Sequence, residues 1–197
     1  GNFFMKKMAT LFRTSMDELK DVRSLAMIAL FGGMSVVMGY FTIQIGDFLK
    51  IGFSTIVQQF VYYLFGPGAG MLFAGAMDLL KFAIKPTGAF FPGYTFNAML
   101  AAVLYGYFYY RQKITLRRVL AAQFVVALIC NVCFGTLWWH MTTTKAQAAF
   151  WPVFLTRAGK NLAQWPLNSL LFYGAWEFME RAGVFREIRK HIRTRRV

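Results

Sequence analysis

Three long stretches of this chain, residues 24–46, 51–77 and 119–144, contain no Asp, Glu, Lys or Arg. Each is as long as the roughly 20 predominantly apolar residues that carry a helix across a hydrocarbon core. Strand-like alternation of apolar and polar residues is absent, which argues against a membrane barrel. Charged residues make up only 15% of the chain, against about a quarter in a soluble domain. The expected fold class is therefore an all-α membrane protein.

The boundaries follow from breakers and charges. The apolar run 51–84 is too long for one ordinary span, and Gly66-Pro67-Gly68-Ala69-Gly70 interrupts it. Proline and flanking glycines break a helix and favour a turn. The expected spans are 24–45, 48–65, 69–84, 94–110, 120–141 and 157–179. Basic clusters precede the first span, occupy Arg111, Lys113, Arg117 and Arg118, and fill the chain from Arg181 onward. Six spans put all three clusters on one side, as the positive-inside rule requires, whereas five would not. Both termini are then cytoplasmic, and segments 46–48, 85–93 and 142–156 face outward.

Three regions result: an amphipathic N-terminal segment (1–23), a six-helix membrane domain (24–180) and a basic tail (181–197). The first 23 residues lack the compact apolar core and small-residue cleavage site of a signal peptide. The net charge of +14 does not point to nucleic acid, because the cations flank apolar segments. Their expected partner is the anionic face of the lipid bilayer.

Polar groups inside spans are costly in lipid and mark candidate sites. Arg157, Lys160, Asn161, Gln164 and Asn168 follow steps of three and four, which place them along one side of a helix. A cationic mouth above a row of amides suits an anionic solute with a polar ring. The competing reading is snorkelling cations plus interhelical hydrogen bonds. Asp78 and Lys81, one turn apart, either neutralise each other or orient a ligand. Phe91, Tyr94 and Asn97 offer aromatic faces and an amide near the outer surface. They also fit an aromatic interface belt, and the same two readings apply to Trp138 and His140.

Other chemistries find little support. Cys130 and Cys133 lie mid-span with no second cysteine pair, so no metal site is expected. No phosphate-binding loop or catalytic constellation is present, so the chain is expected to be no enzyme and to need no cofactor. Small residues Ala29 and Gly33, four apart in the first span, let another helix approach closely; the partner is either internal or a separate subunit.

These motifs together resemble the substrate-binding S components of energy-coupling factor (ECF) vitamin transporters. The resemblance rests on Gly66-Pro67-Gly68-Ala69-Gly70, Asp78-Leu79-Leu80-Lys81, the run Phe91-Pro92-Gly93-Tyr94-Thr95-Phe96-Asn97-Ala98, and Arg157-x-x-Lys160-Asn161 leading to Pro166. Within that family the pattern is most similar to the folate-specific members. The resemblance implies an outward-opening vitamin pocket in a bacterial plasma-membrane protein. It also implies a transmembrane coupling subunit and two ATP-hydrolysing subunits as partners. The docking motif of the family is usually Ala-x-x-x-Ala, and here Gly33 replaces the second alanine. Arg157 and Lys160 would pair with folate carboxylates, and Asn97, Gln164 and Asn168 would hold the ring. Riboflavin, which lacks carboxylates, and cationic thiamine fit this mouth less well. From another class, a membrane scaffold subunit would use the amide row for packing alone.

Overall fold

The computed structural model describes residues 2–45, 49–86, 88–142 and 150–193. The expected outward segment 46–48 and residues 143–149 of the last outward connection lie outside them, as do residues 194–197. Helix α1 (Asn2–Glu18) is followed by α2 (Val22–Gly39), which starts at Asp21, whose carboxylate accepts the Arg23 N–H at 3.2 Å. The first span was expected to stay helical to residue 45. Instead Thr42–Ile45 (β1) pairs antiparallel with Leu49–Gly52 (β2), Ile43 facing Ile51. Ile43, Ile45 and Ile51, β-branched, fit a pleated ribbon better than a helix. The next helix accordingly begins at Phe53, five residues later than the expected start at 48.

Helix α3 (Phe53–Ile84) breaks at Gly66, whose backbone sits at φ 88°, ψ −173°. Only glycine occupies that region readily. The chain reverses there. The Lys81 ammonium donates to the Ser54 hydroxyl at 2.9 Å, although 27 residues of straight helix would separate them by about 40 Å. Tyr62 likewise meets Phe73, with ring centroids 6.4 Å apart. The break expected at Gly66-Pro67-Gly68 is thus present, and the two arms of α3 run antiparallel.

The reversal is held by α1. The Ser15 hydroxyl donates to the Phe65 carbonyl at 2.6 Å and accepts the Ala69 N–H at 2.8 Å. Those backbone groups flank the residues where helical bonding fails, and burial without partners would be costly. Gly106 backs the same turn, since a Cβ there would lie 2.5 Å from the Pro67 Cα.

Helix α4 (Pro92–Tyr109) opens with proline in its first turn, where the missing N–H costs nothing. Helix α5 (Leu116–Val126) passes through a π-helical stretch, Ala127–Phe134, into α6 (Gly135–Thr142). Helix α7 (Phe150–Arg181) begins seven residues before the expected start at 157. The basic tail forms α8 (Val184–Arg193) after Gly183, with Phe185 and Ile188 buried beneath it. The Phe185 ring packs against Phe60 and Tyr63, at 5.3 and 5.4 Å. Among the described residues, Val22–Gly39, Phe53–Ile84 and Leu116–Thr142 are long and apolar enough to cross a membrane.

Candidate ligand site

The first arm of α3, α4, the α5–π segment and α7 enclose a cavity of about 220 Å³. Among the described residues, its wall holds no charged side chain. It is built from amides (Gln58, Gln59, Gln123, Asn131, Asn161, Asn168), tyrosines (Tyr62, Tyr105) and Trp165 among small and aliphatic residues. Tyr62 and Tyr105 stack at 6.0 Å with 10° between their planes.

The deep wall is a hydrogen-bonded network. The Gln123 amide donates to Gln59 Oε1 at 2.7 Å, and Tyr109 donates to the same oxygen at 3.4 Å. Tyr105 donates to Gln123 Oε1 at 3.0 Å. Gln59 Oε1 thus accepts two hydrogen bonds, one for each of its lone pairs. Gln58 donates to Ser35 of α2 at 3.2 Å, and Ser35 bonds Ser54 at 2.8 Å, the hydroxyl that also takes Lys81. The indole of Trp165 donates to the Leu120 carbonyl at 2.8 Å, which fixes the ring against α5.

Of the residues singled out in the sequence, Asn161 and Asn168 line this cavity. Asn161 donates to the Arg157 carbonyl at 2.8 Å and accepts from Asn131 at 3.0 Å. Gln164 is half-buried on α7 between them but is not part of the lining. Arg157 is half-buried one turn earlier, its guanidinium against Gly135, where a Cβ would lie 3.1 Å from Nη1. Lys160 is exposed and outside the cavity.

Asp78 and Lys81 make no ion pair with each other among the described residues. Each takes a hydroxyl instead: Thr95 donates to Asp78 at 2.6 Å, and Lys81 donates to Ser54. Phe91, Tyr94 and Trp138 form one aromatic cluster, with Phe91 5.8 Å from Tyr94 and 5.6 Å from Trp138. Asn97 donates to the Cys130 carbonyl at 2.7 Å, a group in the π stretch. Its Oδ1 is buried without a partner among the described residues, as are Trp138 Nε1 and His140 Nδ1. His140 rests edge-on against Phe150. Buried polar atoms are paired as a rule, so each of these exceptions asks for an explanation.

Sequence reasoning missed Gln58, Gln59, Gln123 and Asn131. The signal was available, since four neutral amides interrupt otherwise apolar spans. A search led by charge passes over them. On α2 the buried side carries Ile28, Phe31, Gly32 and Ser35, whereas Ala29 and Gly33 are exposed. A Cβ on Gly33 would meet nothing within 4 Å, so the small-residue pair is not used to pack α2 on the rest of the chain.

Residues 23–175 match the family described as ECF transporter, substrate-specific component, and the chain belongs to that family of membrane transport proteins. It is 30% identical over 172 residues to "Folate transporter FolT" of Clostridium novyi (strain NT), covering 87% of this chain and 98% of that protein. A second relative, "Folate transporter FolT" of Leuconostoc mesenteroides, is 30% identical over 158 residues, covering 78% of this chain and 84% of that protein. Among solved structures, a crystal structure of FolT bound with folic acid superposes with a TM-score of 0.68 at 28% identity. That match covers 78% of this chain and 92% of the other.

Proposed function

We propose that this chain is a folate-binding S component of an ECF importer, which captures folate outside the cell and delivers it inward. The observation that carries the proposal is the charge-free, amide-lined cavity beside the half-buried Arg157. Folate joins a flat pterin ring to an aminobenzoyl-glutamate with two carboxylates. Amides and stacked tyrosines suit the ring's donors, acceptors and flat faces. The cavity is smaller than the roughly 300–1,000 Å³ of whole cofactor sites. Folate therefore enters ring first, and its carboxylates stay at the rim, where Arg157 offers a planar fork. The unpartnered atoms of Asn97, Trp138 and His140 belong to that outer region, and Phe91 and Tyr94 wall it. Asp78 and Lys81, held by Thr95 and Ser54, act as positioning residues for the α3–α4 wall. The similarity to folate transporters supports this vitamin over riboflavin and thiamine.

In this reading the chain crosses the bacterial plasma membrane six times, the two arms of α3 counting separately, with both termini in the cytoplasm. The antiparallel arms and the grouping of α1, the Gly66 reversal, the 110–115 loop and α8 support that arrangement. The exposed Ala29–Gly33 pair on α2 is the docking face for a transmembrane coupling subunit. ATP hydrolysis falls to two further subunits, and this chain has no catalytic role.

The test is a fluorescence titration of the purified chain. Folate quenches its tryptophans, and an excess of riboflavin or thiamine does not compete. Quenching by riboflavin or thiamine with none by folate overturns the assignment.

A further inference from the structure

A second cavity of about 1010 Å³ opens at the other end of the bundle, between the end of α1, the 110–115 loop, the last turns of α7, and α8. We propose that it holds the phosphate of an anionic phospholipid headgroup. Its wall combines Arg111, Lys113 and Arg189 with the rings of Tyr63, Tyr110 and Trp176 and the carboxylates of Glu18 and Glu180.

The charges are not equally committed. Glu180 is paired with Arg189 at 2.9 Å. Glu18 takes the hydroxyls of Ser24 and Tyr110, each at 3.5 Å. Arg111 and Lys113 form no ion pair among the described residues. Two cations are therefore left facing a cavity whose acids are engaged. Arg111 also holds a left-handed backbone, φ 55°, which non-glycine residues rarely adopt. That turn places its guanidinium over the Tyr110 ring, 5.3 Å from the centroid. Cations beside tyrosine and tryptophan rings are the combination found where a helix bundle meets lipid headgroups.

The neighbouring helices set the level. Ser15 of α1 sits on the α3 reversal, and Phe4 rests on Tyr107 in the last turns of α4, at 5.3 Å. Helix α1 thus runs across the end of the bundle rather than along it. Residues 2–16 contain Lys6, Lys7 and Arg13 and no acid. Phe3 at its tip is 84% exposed, an apolar ring whose natural partner is the acyl boundary of a leaflet. On the opposite side Arg23 donates to the His191 carbonyl of α8 at 3.3 Å. The cavity lies between these two surface helices, at headgroup depth.

The experiment uses the full chain in detergent, with bound lipid counted by native mass spectrometry. Phosphatidylglycerol and phosphatidylcholine are titrated in parallel, and inorganic phosphate and glycerol phosphate form a separate arm. Phosphatidylglycerol is expected to bind in preference to phosphatidylcholine. Arg111→Gln or Lys113→Gln should weaken it about fivefold each, and the pair about thirtyfold, the cost of roughly one headgroup contact per cation. Arg117→Gln, in the first turn of α5 and outside the cavity, should change it less than about twofold. Folate quenching should be unchanged in all four variants, which separates this site from the vitamin cavity. Equal binding of the two lipids, or equal loss in Arg117→Gln and Arg111→Gln, overturns the proposal. Soluble phosphate binding as tightly as the lipid would move the site to a free anion and overturn the lipid assignment.

Discussion

Removing one hydroxyl should loosen the whole end of the bundle where α3 reverses. Ser15→Ala deletes the donor to the Phe65 carbonyl and the acceptor for the Ala69 N–H. Phe65 and Ala69 are 0% and 1% exposed, so neither group finds water easily. An orphaned buried polar group costs about 1–3 kcal/mol. Two of them, with partial relief from water entering the small gap, give a loss of about 2–4 kcal/mol. For a chain of this length each kcal/mol lowers Tm by about 2–4 °C, so a fall of about 5–15 °C is expected. The assay is thermal unfolding of the purified protein followed by intrinsic fluorescence. Thr14→Ala is the control, since among the described residues that hydroxyl bonds only the Thr10 carbonyl of its own helix, at 2.8 Å. Its effect should stay within about 0.5 kcal/mol. Folate affinity measured below the transition should hold in both variants, because α1 does not reach the cavity. Equal Tm values for Ser15→Ala and Thr14→Ala would refute the clasp.

Gln59→Leu strips the acceptor shared by Gln123 and Tyr109, and should weaken folate binding at least about tenfold in a quenching titration, the worth of one buried hydrogen bond. Gly106→Ala forces a methyl onto the backbone of Pro67 and should destabilise by about 1–3 kcal/mol. Gly159→Ala, which meets nothing within 4 Å in α7, should stabilise by about 0.5–1 kcal/mol; thermal unfolding compares the two. Gly33→Leu should abolish uptake by cells carrying the complete transporter while leaving folate binding by the isolated chain intact. Loss of both would point to internal packing of α2.

The parts legible in the sequence are those written in charge and spacing. Charge-free runs marked the apolar helices, and Gly66-Pro67-Gly68 marked the reversal because Gly66 takes a backbone that other residue types rarely adopt. The β1–β2 ribbon was hidden because its apolar residues continue the first span without a break, and only the cluster of β-branched side chains at Ile43, Ile45 and Ile51 sets it apart. The role of Ser15 could not be read at all. Its partners are backbone atoms 50 and 54 residues away, and backbone atoms leave no mark in sequence. Gln59 and Gln123 were passed over for a related reason: an uncharged amide looks tolerable in a span until the packing shows that it is nearly closed off from solvent.

On α7, helical angle and burial rank the polar residues that spacing groups. Steps of three and four group Arg157, Lys160, Asn161, Gln164 and Asn168 together. At about 100° per residue, however, Lys160 falls roughly 60° off the line through Arg157, Gln164 and Asn168. The structure shows the consequence, with Arg157 half-buried against Gly135 and Lys160 exposed. A guanidinium that is partly shielded from water and meets a carboxylate is worth about 1.5–3 kcal/mol, whereas an exposed ammonium contributes about 0–1 kcal/mol. Arg157→Ala should therefore weaken folate binding by about 10- to 150-fold, and Lys160→Ala by no more than about fivefold. Pteroic acid, which keeps the ring and lacks the glutamate, should bind wild type and Arg157→Ala alike. Equal losses at the two positions would place the carboxylates away from Arg157, and a loss of pteroic acid binding in Arg157→Ala would mean that the arginine holds the cavity wall rather than the ligand.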